Sequence, residues 1–174
     1  PSFEEHTITN EWEMKVRSTD LDQDGDNDIL SVTIVEDKIF WYENDGNESF
    51  TKHTIATTPD RPTSVFTIDI DEDGDMDVLS SSEFDDEIAW YENDGSENFT
   101  LHIIDDNANV AQYAHAIDID SDGDIDVMSC GYKVAWYEND GIENFTKHIV
   151  EDNANPGIVF GKDVDGDGDI DFLT

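Results

Sequence analysis

The chain has 174 residues, of which 45 are Asp or Glu and 8 are Lys or Arg, for a formal charge of -37. Such a chain repels nucleic acid and anionic membrane, so neither is expected as a partner, and no apolar run approaches the ~20 residues of a membrane span. Hydrophobic content is 36% with 10% aromatics, enough for one domain with a core, and the regular spacing of Trp, Tyr, Phe and Ile argues against disorder.

In chain order, residues 1–10 are read as a D-type strand over residues 3–8, carrying Phe3-Glu4-Glu5-His6. Pro1 is no natural initiator, so the chain is expected to be a processed or excised product. Residues 11–58 form repeat 1. It holds an aspartate-rich loop at residues 20–28, a Trp41-Tyr42-Glu43-Asn44-Asp45-Gly46 block and Phe50-Thr51-Lys52-His53. Residues 59–107 repeat the plan with a loop at 69–77, Trp90-Tyr91 and Phe99-Thr100-Leu101-His102. Residues 108–153 repeat it again with a loop at 118–126, Trp136-Tyr137 and Phe145-Thr146-Lys147-His148. Residues 154–174 end just after a fourth loop, at 163–171. A period of 40 to 50 residues made of short strands is the signature of propeller blades.

Repeat 2 illustrates the blade. Residues 65–68 read as strand A, 78–82 as strand B, 87–92 as strand C and 98–104 as strand D. Turns fall at Phe84-Asp85-Asp86 and at Asn93-Asp94-Gly95, where Asp-Gly is a strong hairpin signal. Ile88 and Trp90 share one face of strand C, Ala89 and Tyr91 the other. Both faces are apolar, as a sheet sandwiched between neighbours requires. The predicted fold is all-β, about three and three-quarter four-stranded β-propeller-type blades in a single domain. Three closures remain open: part of a larger ring, an irregular four-bladed ring, or open ends pairing with other copies.

Each loop places aspartates at every second position with glycine sixth. The sets are Asp20, Asp22, Asp24, Asp26 and Asp28; Asp69, Asp71, Asp73, Asp75 and Asp77; Asp118, Asp120, Asp122, Asp124 and Asp126; and Asp163, Asp165, Asp167, Asp169 and Asp171. Positions 1, 3, 5 and 9 can offer carboxylate oxygens and position 7 its backbone carbonyl. Four carboxylates so close call for a cation, and all-oxygen ligation favours Ca2+, one per loop and four in all, over Mg2+. Position 12 is Ser31, Ser80, Ser129 or Thr174 where an EF-hand has glutamate, so that motif is excluded. Solvated turn residues are the alternative.

Asp-x-Asp-x-Asp-Gly-Asp-x-Asp followed by Trp-Tyr-Glu-Asn-Asp-Gly resembles the FG-GAP/VCBS repeats of integrin-α-like propellers, propeller lectins and bacterial surface proteins. Of the sequence that names the family only Phe160-Gly161 is kept. The resemblance implies calcium in the A–B loops and an extracellular, secreted or cell-surface setting. It also implies binding or adhesion, with carbohydrate the leading ligand class and a surface protein the other. A surface filament assembled by end-to-end blade pairing and an accessory propeller of a secreted enzyme are the alternatives.

No catalytic constellation is read. His6, His53, His102 and His148 recur at one repeat position, as do Trp41, Trp90 and Trp136, and both sets read as structural. Cys130, the lone cysteine, reads as a small buried hydrophobe. Residues outside the repeat pattern are the candidates for specificity: Trp12, Arg61, Tyr113, His115, Tyr132 and Lys133. Asn47, Asn98 and Asn144 fit the N-glycosylation pattern.

Overall fold

The computed structural model describes residues 7–10, 15–47, 49–154 and 156–174. Blade 1 comprises β1 (Lys15–Thr19), β2 (Asp28–Thr33), β3 (Lys38–Asn44) and β4 (Phe50–Ala56). Blade 2 comprises β5 (Pro62–Ile68), β6 (Asp77–Ser82), β7 (Glu87–Asn93) and β8 (Phe99–Asp105). Blade 3 comprises β9 (Tyr113–Ile117), β10 (Asp126–Cys130), β11 (Lys133–Asn139) and β12 (Phe145–Asp152). A final antiparallel pair is β13 (Phe160–Lys162) and β14 (Asp171–Leu173). Each blade is an antiparallel meander, and among the described residues no strand pairing joins the first blade to the last. Most of the expected N-terminal strand lies outside the described residues, and residues 7–10 are not in a strand.

The strands form where β-branched and aromatic residues fill both faces. Those faces pack against neighbouring blades. Leu30, Val32, Ile39 and Trp41 of blade 1 meet Val65, Val78 and Tyr91 of blade 2. On its other face blade 2 sends Leu79, Ile88 and Trp90 against Ala114, Val127, Ala135 and Tyr137 of blade 3. Met128, Cys130 and Val134 then meet Val159, Ile170 and Phe172 of the last pair. The two-sided reading of strand C therefore holds, with Ile88 and Trp90 facing one neighbour and Tyr91 the other. Burying Trp41 and Trp90 to 1% exposure is worth about 3–5 kcal/mol each against alanine. Gly161 sits where any Cβ would overlap the Met128 and Ile170 side chains, so β13 seats closely on blade 3.

The Asp-Gly turns have the length that the sequence reading left between strands C and D. Five residues, 94–98, separate β7 from β8. The reason is the Asp94 carboxylate, which accepts from the Ser96 and Asn98 backbone N–H groups and from the Asn98 amide. This side-chain cap stabilises a wider loop than a two-residue turn.

A meander fixes two ends. The A–B loops and C–D turns lie at one end of each blade, and the B–C turns and D–A connections at the other. At the second end, Arg61 and Val110 both take left-handed backbone geometry (φ 57° and 62°). Their N–H groups donate to Asp37 and Asp86 of the preceding blade's B–C turn. Arg61 thus occupies a repeated backbone device, although its side chain is unlike valine.

Candidate metal centre and ligand surfaces

Every loop has the same wiring. In the second, Gly74 turns with φ +101° and its N–H donates to Asp69 Oδ2 (3.0 Å). Asp73 N–H donates to Asp71 (3.2 Å), and Asp75 N–H to Asp73 (2.9 Å). Position 7 turns its carboxylate aside: Asp26, Asp75 and Asp124 rest against Gly46, Gly95 and Gly141, leaving no room there for a Cβ. Position 9 does work the sequence reading did not assign. Asp77 is fully buried and accepts from Ile70 N (2.9 Å) and Asn93 N (2.8 Å), tying the loop to the end of β7. Asp28 and Asp126 do the same with Leu21 and Asn44, and with Ile119 and Asn139. In the last loop Asp171 accepts from Val164 N (3.0 Å).

Carboxylate oxygens gather within 4.8 Å of one another as Asp20, Asp22 and Asp28; Asp69, Asp71 and Asp77; Asp118, Asp120 and Asp122; and Asp163, Asp165 and Asp171. A structural observation shows that these groups fit a cation. Asp20 Oδ1 and Asp69 Oδ1 are buried yet have no hydrogen-bond partner. A buried carboxylate oxygen left bare is costly, and a cation would satisfy it. The donors are all hard oxygens, which suits a divalent ion of the calcium or magnesium type. The loops also touch across blades, since Gln23 Nε2 donates to Gly74 O at 2.7 Å.

The electrostatics agree. Burial, the largest cause, pushes the Asp77 carboxyl up to about 7 against the hydrogen bonds that lower it, and Asp69 and Asp71 add repulsion. Burial likewise raises Asp22 and Asp71. In the metal-free protein the folded state therefore holds the Asp77 proton between about pH 4 and 7, where the unfolded chain has lost it. Stability then falls as pH rises through that window. The melting temperature in chelator should climb as pH is lowered from about 7.5 to about 5.5, and Asp77→Asn should shed part of that gain. Equal pH responses of the two proteins would refute this role for Asp77.

The sequence candidates for specificity separate. Trp12 lies outside the described residues, as does His6. Tyr113 and His115 stand on β9 facing Phe160, with ring centroids 6.0 and 5.2 Å away. Arg61 pairs with Glu83 at 2.9 Å, and its guanidinium lies over Phe84. Lys133 pairs with Asp152 at 3.0 Å, beside exposed Tyr132. Asn47, Asn98 and Asn144 are exposed. Their amides already serve turns, donating to Asp45 O, to the Asp94 carboxylate and to the Asp140 carboxylate.

The structural reading of the repeated aromatics and histidines holds for the described copies. His53, His102 and His148 stack on Trp41, Trp90 and Trp136 at 4.6 Å, and each Nε2 meets Glu43, Glu92 or Glu138 at 2.7 Å. Cys130 is buried, which pushes its thiol up to about 12 and removes it as a nucleophile. Sequence reasoning missed a cleft between blades 2 and 3, lined by Ile70, Asp71, Glu72, Asp124, Asn139 and Gly141. It is built from two repeats, so no single motif announces it. Among the described residues no helix is long and apolar enough to cross a membrane.

Propeller-type blades with an all-carboxylate loop in each A–B hairpin define the class of this protein. The family model of FG-GAP-like repeats matches residues 20–80, 73–129 and 118–174, and the chain belongs to that family. Among solved structures, it is similar to an Agrocybe aegerita lectin described for specific recognition of non-reducing terminal N-acetylglucosamine. The TM-score is 0.64 at 19% identity, covering 92% of this chain and 47% of that one. The likeness extends to the fold, and this chain spans less than half of that lectin chain. No curated protein matches.

Proposed function

We propose that the chain is an extracellular, calcium-stabilised repeat module that binds carbohydrate and performs no catalysis. The observation that carries the ligand class is the cleft where the blade 2 aspartate loop meets the blade 3 C–D turn. Its wall holds Asp71, Glu72, Asp124 and Glu143, whose carboxylates can accept from sugar hydroxyls, while the buried Asn139 amide is already bonded to Ile125 O and Gly141 N. Calcium is the ion of choice because the loops offer many flexible oxygens, which magnesium with its retained waters uses poorly. Millimolar extracellular calcium fills sites of about 10⁻⁴–10⁻³ M affinity from about nine-tenths down to about half, and a buried lone cysteine tolerates that oxidising setting. Absence of turnover follows from the acidic groups being repeated and committed to loop wiring.

A glycan array probed in excess calcium and again in chelator tests the reading. Calcium-dependent binding of one sugar class is expected. A blank array in calcium, from a protein whose far-ultraviolet spectrum shows it folded, would overturn the carbohydrate assignment. Release of reducing ends from a polysaccharide panel would overturn the non-catalytic one.

A further inference from the structure

In a chain this acidic, a cation without a carboxylate is unusual. Lys38, Arg61, Lys133 and Lys147 sit against Glu36 (2.6 Å), Glu83 (2.9 Å), Asp152 (3.0 Å) and Asp105 (2.5 Å). Among the described residues, no carboxylate lies within ion-pair distance of Lys15 or Arg17, nor of Lys162 on β13. Lys15 and Arg17 are both on β1, the inner-edge strand of blade 1.

The inner-edge strands of all four units converge there. Lys15, Ser64, Tyr113 and Ile158 hold one repeat position, each five residues before the first aspartate of its loop. With Val16, Arg17 and Val65 they line a cavity of about 190 Å³. Arg17 Nη2 donates to the Tyr113 hydroxyl at 2.5 Å, reaching from blade 1 to blade 3. A guanidinium carries five N–H donors, so the rest of the fork is left for a ligand. The Tyr113 oxygen accepts from Arg17 and keeps its own hydrogen to donate. Beside the cavity, Phe66, His115 and Phe160 form a continuous ring contact at 4.8 and 5.2 Å.

The charge balance permits an anion here. The aspartate loops begin five residues beyond Lys15 and Tyr113, about 16 Å at the rise of an extended chain, and three beyond Arg17, about 10 Å. Those are about two and about one Debye lengths at physiological salt, so the loops' repulsion is reduced at the pocket.

We propose that this axial pocket binds a carboxylate-bearing monosaccharide of the hexuronate class. Arg17 and Lys15 receive the carboxylate, the Tyr113 hydroxyl donates to a ring substituent, and Val65 and Ile158 cover the carbon face. The sugar body of the ligand rests on the carbohydrate reading above. The anionic head rests on Lys15 and Arg17 alone.

Isothermal titration of the full chain with sodium glucuronate, glucose and sodium acetate, at one fixed excess of calcium, tests this. Glucuronate should bind, and glucose at equal concentration should not. Arg17→Ala should weaken glucuronate at least tenfold, while Arg17→Lys retains more than Arg17→Ala. Acetate binding as tightly as glucuronate would overturn the uronate assignment. Glucuronate affinity unchanged by Arg17→Ala would overturn the pocket. Neutral glycans binding on the array while glucuronate fails here would sink this proposal and leave the broader carbohydrate reading standing.

Discussion

Asp77→Ala should destabilise the protein by about 3–5 kcal/mol, even in chelator. The residue is 0% exposed, and its two oxygens receive the N–H groups of Ile70 and Asn93. Alanine leaves both donors buried and unpaired, at about 1–3 kcal/mol each, and opens a small void besides. With total stabilities of about 5–15 kcal/mol, that is a large share. The comparison is Asp73→Ala. Asp73 is exposed and accepts only the Asp75 N–H, so its removal should cost under about 1 kcal/mol without metal. Urea unfolding of both variants in chelator separates loop wiring from ion binding. Equal losses would show that the buried hydrogen bonds of Asp77 carry no special weight.

Chelation should lower the melting temperature by about 15 °C or more relative to excess calcium. One site held at a hundredfold excess over its Kd contributes about 2.7 kcal/mol by mass action. For a chain of this size each kcal/mol moves the midpoint by about 2–4 °C. Two intact sites therefore give about 11–22 °C, and the carboxylate clusters among the described residues number four. Magnesium at equal concentration should restore less. Calorimetry in calcium, magnesium and chelator measures all three, and a midpoint indifferent to chelation would remove the metal from the account.

Much of the architecture was legible because the sequence repeats it. A period shared by the aspartate loop, the Trp-Tyr block and the Phe-His block fixes strand order, and apolar residues on both faces of residues 88–91 foretell the sandwiching. The Asp-Gly turns were legible as breaks between strands C and D, but the Asp94 cap that holds them was not. The dual life of Asp28, Asp77 and Asp126 was also hidden. A ninth-position carboxylate looks like a ligand in one dimension, and its bonds to Asn44, Asn93 and Asn139 span another part of the repeat. The axial pocket was half-visible: Tyr113 and His115 stood out as unrepeated, but Lys15 and Arg17 did not, since only the converging inner strands bring β1 and β9 together.

The repeat spacing carries one more consequence. The first two intervals between loop starts are equal, and the third is shorter. Half of the difference falls at the B–C turn of blade 3, where Gly131 and Tyr132 alone join β10 to β11, while four residues join β6 to β7. Each of the four loops, by contrast, keeps its nine-residue length and its aspartate-glycine pattern. The aspartate-loop end is thus of fixed length, and the opposite end varies. Tyr132 is exposed, but Gly131 is pressed on the Val110 carbonyl and the Tyr132 N–H donates to Asn109 O, so a peptide grafted at that turn serves as a display port for engineered recognition only if both contacts are kept.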